Sequence, residues 1–202
     1  VIARGAAPWQ SPGQGGNLWR LPQPLRGFAM TEVRDGWVRI SGRAVDGIVS
    51  AAHPHCFLSV TKQGVSAIVS TSGNDSCHII LRGSQDGPNY SRADVERAWA
   101  IQEQAGISNR IMIDCSHGNS HKRWQDQHLV AESVAEQLAA GDDHIGAVMI
   151  ESNIYSGNQK CDGHGALQYG VSITDACVGW DETVTMLERL AEGVRARRKA
   201  RQ

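Results

Sequence analysis

From position 77 onward, short unbroken apolar blocks alternate with longer segments of helical period. Cys77-His78-Ile79-Ile80-Leu81 runs into Arg82-Gly83 and predicts a buried strand over 77–83. Residues 91–105 predict a helix: Ser91 with Asp94 three positions on is a capping signal, Val95, Ala98, Trp99 and Ile101 make an apolar face, and Gly106 ends it. The pattern then recurs. A strand over 110–117 precedes a helix over 120–140 carrying Val130, Ala131, Val134 and Leu138. A further strand over 146–152 leads through a glycine-rich loop to a last helix. That helix is capped by Asp181 and faced by Val184, Leu187, Leu190, Ala191 and Val194. Strands that alternate with helices predict parallel β/α units, whose strands are apolar throughout because both faces are covered. Upstream, residues 44–52 predict a short helix stopped ahead of Pro54, and 57–61 and 65–71 a β-hairpin turning at 62–64.

The first 42 residues differ in texture. They hold four of the six prolines, seven of the 22 glycines and three of the six tryptophans, with five Arg against Glu32 and Asp35. Residues 32–41 are the one stretch that reads as a short strand. Gly13-Gln14-Gly15-Gly16 lacks both a following helix and a Lys-Ser/Thr pair, so it is a poor phosphate loop. The division this suggests is an irregular extension over 1–42 and a domain over 43–202.

Charge narrows the partners. Lys plus Arg is 20 against 21 Asp plus Glu, a net charge of −1, which gives no general attraction to nucleic acid or an anionic membrane. No apolar run approaches the roughly 18 residues of a membrane helix, and the first residues lack a signal-peptide pattern. The five cysteines, at 56, 77, 115, 161 and 177, form no CxxC pair and no disulfide framework. A cytoplasmic protein with reduced thiols is expected. The basic end of the last helix, from Arg195 to Arg201, reads as favourable placement at a helix C-terminus followed by a solvated tail. His121 and His128 read as exposed on a polar helix face.

The chemistry is expected where parallel strands end, since functional groups in such folds ride on the loops at that edge. Arg82, His117 and Glu151 stand at three such exits, and Asp175 follows in the last long loop. One imidazole nitrogen and two hard carboxylate oxygens suit Mn²⁺, Fe²⁺ or Zn²⁺, and Arg82 offers a forked donor for phosphate or carboxylate. Bland readings stand beside these on spacing alone. His117 also reads as a hydrogen-bonded structural residue, Glu151 and Asp175 as solvated loop residues or helix caps, and Arg82 as an ion-pair partner of Asp114.

Six runs of residues, in order and without large gaps, carry a resemblance. They are His55-Cys56-Phe57-Leu58-Ser59-Val60-Thr61-Lys62, Ile79-Ile80-Leu81-Arg82-Gly83, Pro88-Asn89-Tyr90, Asp114-Cys115-Ser116-His117-Gly118-Asn119-Ser120, Val148-Met149-Ile150-Glu151-Ser152, and 172–180 with its Ser-Ile-Thr-Asp-Ala-Cys. From about Ala44 to the C-terminus the chain resembles class I 3-deoxy-D-arabino-heptulosonate 7-phosphate (DAHP) synthase. The related 3-deoxy-octulosonate 8-phosphate synthase matches the hairpin and the Ser-Ile-Thr-Asp-Ala-Cys run less well. The resemblance implies an α/β fold, part of a (β/α)₈ TIM barrel comprising about the last three β/α units and an inserted hairpin. It implies a homo-oligomeric, metal-dependent transferase that condenses phosphoenolpyruvate with erythrose 4-phosphate, releasing phosphate, as the first step of the shikimate pathway. By matching motif, His117, Glu151 and Asp175 resemble three of four metal ligands, and Arg82 a phosphoenolpyruvate-gripping residue. His117 and Asp175 count with Arg82 as catalytic, Asp175 also as substrate-binding. Phe57, Ser59 and Val69 resemble part of a pocket for a feedback-inhibiting aromatic amino acid.

The departures from the family are large. The Gly-Pro-Cys-Ser motif with the fourth, cysteine ligand is missing, as are the Lys-Pro-Arg-Thr loop, the Gly-Ala-Arg-Thr-Thr segment and the Phe-Lys-Asn-Gly strand. A full barrel takes about 250 residues. The chain therefore reads as truncated, with 1–42 foreign to the family, translated from a wrong frame, and with little or no activity on its own. The alternative is a non-catalytic remnant, or a regulatory partner docking on an intact synthase.

Overall fold

The computed structural model describes residues 37–161 and 165–202 together with two short strands before them, and side chains from residue 42 onward. In chain order the elements are β1 (Trp19–Arg20), β2 (Ala29–Val33), α1 (Trp37–Ala52), β3 (Cys56–Val60), β4 (Ser66–Ser70), β5 (Ile79–Ser84), α2 (Arg92–Gln104), β6 (Ile111–Asp114), α3 (Gln127–Ala139), β7 (Ile145–Met149) and α4 (Trp180–Lys199).

The core is a four-stranded parallel sheet in the order β2-β5-β6-β7. Its strands are apolar because helices cover them, and Ile79, Leu81, Ile111, Ile113 and Ile145 are all fully buried. Burying each such side chain is favourable by about 2 kcal/mol relative to leaving it in water. Val95 and Ala98 of α2 and Val130, Ala131, Val134, Ala135 and Leu138 of α3 join the same core. α2 starts as its capping signal predicts: Ser91 Oγ accepts from the Asp94 N–H, and the Asp94 carboxylate accepts from the Ser91 N–H. The alternating strands and helices are therefore seen as predicted.

Several boundaries are corrected. β2 lies at Ala29–Val33, not within 32–41, and pairs in parallel with β5. α1 begins at Trp37, well before 44. Gly42 and Gly47 break up its sequence pattern, yet a Cβ at either would meet nothing within 4 Å, so neither interrupts the helix. Part of the stretch read as irregular extension thus forms regular structure, while the Gly13–Gly16 segment lies outside the described residues. α3 begins at Gln127 rather than 120, preceded by turns and a single 3₁₀ turn over Trp124–Asp126. The N-cap of α4 is Gly179, whose N–H donates to the Glu182 carboxylate, and Asp181 sits in the first turn.

The buried stripe of α4 also differs from the predicted face. It runs through Thr183, Met186, Leu190 and Gly193, while Leu187 is exposed. The cause is Gly193: a Cβ there would lie 2.5 Å from the Ala135 carbonyl oxygen, so the missing side chain is what lets α4 lie against α3. The basic end of α4 is only partly a solvated tail. The Arg197 guanidinium donates to the carbonyls of Asp142 and Ile145, and Arg201 pairs with Asp143 at 2.9 Å. Arg110 reaches the same Asp143 carboxylate at 2.7 Å, and these cations hold its pKa below the usual carboxylate value, Arg201's hydrogen bond foremost.

The hairpin β3–β4 stands apart from the parallel sheet, with β1 added in parallel to β4. Phe57 pairs directly with Val69 and Ser59 with Ala67, so Phe57, Ser59 and Val69 share one face. Val69 is buried there and Ser59 half-buried, while Phe57 stays exposed. Two glycine substitutions test the helix packing. Gly193→Ala should destabilise the fold by about 1–3 kcal/mol through overpacking against α3. Gly47→Ala, in open space within α1, should stabilise it by about 0.5–1 kcal/mol. Urea unfolding of both variants reads the two opposite signs.

Candidate metal and phosphate site

Two strand exits are locked to each other by the absence of side chains. A Cβ at Gly83 would come within 2.5 Å of the Gly118–Asn119 backbone, and one at Gly118 within 2.5 Å of the Gly83–Ser84 backbone. Only glycine at both positions lets the end of β5 touch the loop after β6. Asn119, itself buried, staples that contact. Its Nδ2 donates to the carbonyls of Leu81 and Asp114, its Oδ1 accepts from the Asn89 N–H, and its own N–H donates to the Arg82 carbonyl. Arg82 is thereby held beside the His117 loop, and its side chain makes no ion pair among the described residues.

Asp114 ends β6 with no exposed side-chain surface. Its Oδ1 accepts from the Ser116 N–H and hydroxyl, at 2.8 and 2.7 Å. Its Oδ2 lies 2.7 Å from His117 Nδ1. A carboxylate can only accept there, so the network assigns the proton to Nδ1 and leaves the lone pair on Nε2. Asp114 thus pairs with His117 and Ser116, not with Arg82, and the ion pair considered from sequence is not formed. His117 adopts φ 52°, a left-handed conformation costly for a residue with a Cβ.

The Nε2 atom faces Glu151 Oε1 at 3.4 Å. Glu151 follows β7, and Gln127 grips its backbone from both sides: Gln127 Nε2 donates to the Glu151 carbonyl and Gln127 Oε1 accepts from the Glu151 N–H. Asp175 arrives on the β7–α4 loop, whose turns are tied by Asn158 donating to the Thr174 carbonyl and by mutual bonds between Gly157 and Cys177. Ligand atoms of His117, Glu151 and Asp175 all lie within 4.8 Å of one another. They line a cavity of about 520 Å³ that Arg82 also lines. The four residues singled out from strand exits therefore converge, whereas Phe57, Ser59 and Val69 are not part of this cavity.

The donor set suits a cation. One imidazole carries a free lone pair fixed by a buried carboxylate behind it, an arrangement common around protein-bound metals, and two carboxylates share the space before it. Burial raises the Glu151 pKa above its ordinary 4.5, and the Asp175 and Asp114 charges raise it further, against lowering by His117 and Ser116. No cysteine joins the group among the described residues. Cys115 and Cys177 each lie two residues from a member of the cluster, and the Cys177 pKa is raised by burial and by Glu151 and Asp175. Buried Cys115 is pushed up to about 12 and is inert as a thiolate.

Sequence reasoning missed three participants. Asp114 was considered only as a partner of Arg82, although its place three residues before His117 is the cue. Gln127 looked like an ordinary helix residue. His121 was placed on a helix, yet it sits with Lys122 in the left-handed turns before α3, lining the cavity.

Residues 35–188 match the model of the DAHP synthetase I family. The chain belongs to the DAHP synthetase I family. It is 49% identical over 173 residues to the phenylalanine-inhibited phospho-2-dehydro-3-deoxyheptonate aldolase of Saccharomyces cerevisiae, covering 82% of this chain and 46% of that relative. Against the Phe-sensitive aldolase of Escherichia coli K12 it is 48% identical over 164 residues, covering 81% and 46%. A relative from Schizosaccharomyces pombe, 51% identical over 162 residues, is named as tyrosine-inhibited. The structure of the Francisella tularensis SCHU S4 aldolase aligns with a TM-score of 0.74 at 47% identity, over 78% of this chain and 46% of that one. The chain thus spans less than half the length of these DAHP synthetase I relatives. No helix among the described residues is long and apolar enough to cross a membrane.

The raised Glu151 pKa has a consequence for this family member's stability. A carboxyl whose pKa is higher folded than unfolded contributes stability below the unfolded value, and that contribution is lost as pH rises through the folded one. Ionised Glu151 is therefore a cost at neutral pH in the cation-free chain. Glu151→Gln should raise the melting temperature at pH 7 and lose that advantage below pH 4.5. Asp175→Asn should move the Glu151 midpoint downward in a carboxyl ¹³C NMR titration.

Proposed function

We propose that this chain carries the cation and phosphoenolpyruvate portion of a DAHP synthase site, as the C-terminal part of a (β/α)₈ barrel. The reaction is condensation of phosphoenolpyruvate with D-erythrose 4-phosphate to DAHP and phosphate. The observation that carries the reading is the convergence of His117, Glu151 and Asp175 within 4.8 Å in a cavity that Arg82 also lines. In this reading His117 Nε2 and the carboxylates of Glu151 and Asp175 hold Mn²⁺, Fe²⁺ or Zn²⁺. When bound, such a cation supplies Lewis acidity toward the aldehyde oxygen of erythrose 4-phosphate. Asp114 keeps the His117 proton on Nδ1. Arg82 holds the anionic end of phosphoenolpyruvate through its fork of donors and fixes it beside the ligand cluster.

The isolated chain condenses these substrates weakly or not at all. Three ligand side chains converge here, and the cysteine ligand that the family resemblance implies has no counterpart among the described residues. The shared face of Phe57, Ser59 and Val69 is the proposed contact for an aromatic amino acid, a reading supported by the phenylalanine- and tyrosine-inhibited names of relatives.

Titration calorimetry with Mn²⁺ tests the site directly. One ion per chain is expected, with binding abolished in His117→Ala and weakened about 10–100-fold in Asp114→Asn, the usual scale for losing an orienting carboxylate. The cation requires ionised Glu151, so affinity should fall on acidification beginning at a higher pH than for a carboxylate of ordinary pKa. A coupled assay of phosphate release from both substrates reads turnover. Stoichiometric Mn²⁺ binding unchanged in His117→Ala would refute the ligand assignment, and rapid turnover by the isolated chain would refute the predicted impairment.

A further inference from the structure

The parallel sheet runs out of rungs just where Glu151 needs one. Met149, the last residue of β7, lies opposite Asp114, and its carbonyl accepts from the Cys115 N–H at 2.8 Å. Past Cys115 the chain turns into the His117 loop, so no residue of β6 is left to pair with Glu151. Gln127 supplies the missing partner. Its Oε1 accepts from the Glu151 N–H at 3.0 Å and its Nε2 donates to the Glu151 carbonyl at 3.1 Å. One side-chain amide thus stands in for a peptide group of the next strand. The same carbonyl accepts from the Val178 N–H at 2.9 Å, three residues beyond Asp175.

Gln127 is an unusual residue to find in this role. It opens α3, where a glutamine ordinarily points into water, yet it has no exposed surface. Burying a primary amide is unfavourable unless its donor and acceptor are matched, and the Glu151 backbone matches one of each. Gln127 also lines the cavity together with His117, Glu151 and Asp175. The chain from His117 to Gln127 is short and tied to itself. The Lys122 N–H donates to the His117 carbonyl at 2.6 Å, the Arg123 N–H to Ser120 at 2.9 Å and the Asp126 N–H to Arg123 at 3.0 Å. Gln127, ten residues after His117, therefore fastens the loop that carries the imidazole to the backbone that carries the carboxylate.

We propose that Gln127 is a positioning residue of the cation cluster. By clamping the Glu151 backbone to the start of α3, it sets the spacing between His117 Nε2 and Glu151 Oε1, which face each other at 3.4 Å. This rests on the cation reading above and adds what fixes one ligand relative to another. The hydrogen bonds of Gln127 go to the Glu151 backbone and not to its carboxylate, so it acts through Glu151. Sites of this kind lose function when the supporting groups let a side chain drift by about 1 Å.

Titration calorimetry with Mn²⁺ tests the clamp in a double-mutant cycle. Gln127→Met keeps the length of the side chain but neither hydrogen bond. It should weaken Mn²⁺ by about 10–100-fold, the scale for losing a group that orients a ligand. Gln127→Asn, one methylene shorter, cannot span both backbone groups and should weaken Mn²⁺ by a smaller factor. With Glu151→Gln already in place, Gln127→Met should change the affinity by less than about twofold, yet beside Asp175→Asn it should keep its full effect. Each variant is compared at a temperature where circular dichroism shows it folded, and Gln127→Asn carries the cycle if Gln127→Met does not fold. Unchanged Mn²⁺ affinity in the folded variant, or an equal loss with and without Glu151→Gln, would overturn the positioning role. Failure of the wild-type chain to bind Mn²⁺ would instead sink the ligand cluster, and the clamp with it.

Discussion

A buried carboxylate must be satisfied on every side, and Asp114 is the one on which this structure turns. It sits at the end of β6 with no exposed side-chain surface and spends its two oxygens on Ser116 and His117. Those hydrogen bonds bend the chain sharply after the strand and fix the imidazole's proton on the inner nitrogen. Everything outward of that point inherits the geometry: Nε2 faces Glu151, Asp175 closes the group, and the loop carrying His121 and Lys122 continues from the same turn. Replacing Asp114 by a neutral group would leave a buried imidazole edge and a serine hydroxyl competing for partners.

The second requirement is closeness between neighbouring exits. A parallel sheet places strand ends side by side, but side chains normally keep the loops apart. Here Gly83 and Gly118 remove that spacing, and Asn119 crosses the seam with three hydrogen bonds while a fourth ties it to the end of β6. Arg82 and His117 then belong to one frame, and both line the same cavity. Gln127 does the same for the next exit, using both ends of one amide to hold the Glu151 backbone. Preorganisation of this kind lets a site work without paying an ordering cost at each encounter.

Much of this was readable in the residues, for definite reasons. Apolar blocks ending in Arg82, His117 and Glu151 marked parallel strands and their exits, because a strand covered on both faces has no room for polar residues until it leaves the sheet. The hairpin followed from two β-rich runs around Lys62-Gln63-Gly64, and Gly64 does take a left-handed φ of 79°. Other features stayed hidden because glycine is ambiguous in one dimension. Gly42, read as the end of an irregular extension, lies within α1, while Gly193 carries no signal in the periodicity of α4 and in fact sets the helix against α3 with Leu187 facing water. Hydrogen-bond partners across the fold, such as Asn119 with Leu81 or Gln127 with Glu151, carry no periodicity at all. The seven positions 120–126, two of them left-handed, read as helix in sequence because Ser120 and His121 are compatible with either state, and only the tertiary seam at Gly118 decides between them.

Membership of the DAHP synthetase I family accounts for the inherited motifs, and the cluster geometry gives them a physical role in this shorter chain. The most direct check of that role is anomalous X-ray diffraction from crystals of the chain soaked in Mn²⁺. A single peak about 2.0–2.2 Å from His117 Nε2 and from carboxylate oxygens of Glu151 and Asp175 is the expected result. A peak elsewhere, or none at the cluster with the metal in excess, would contradict the account.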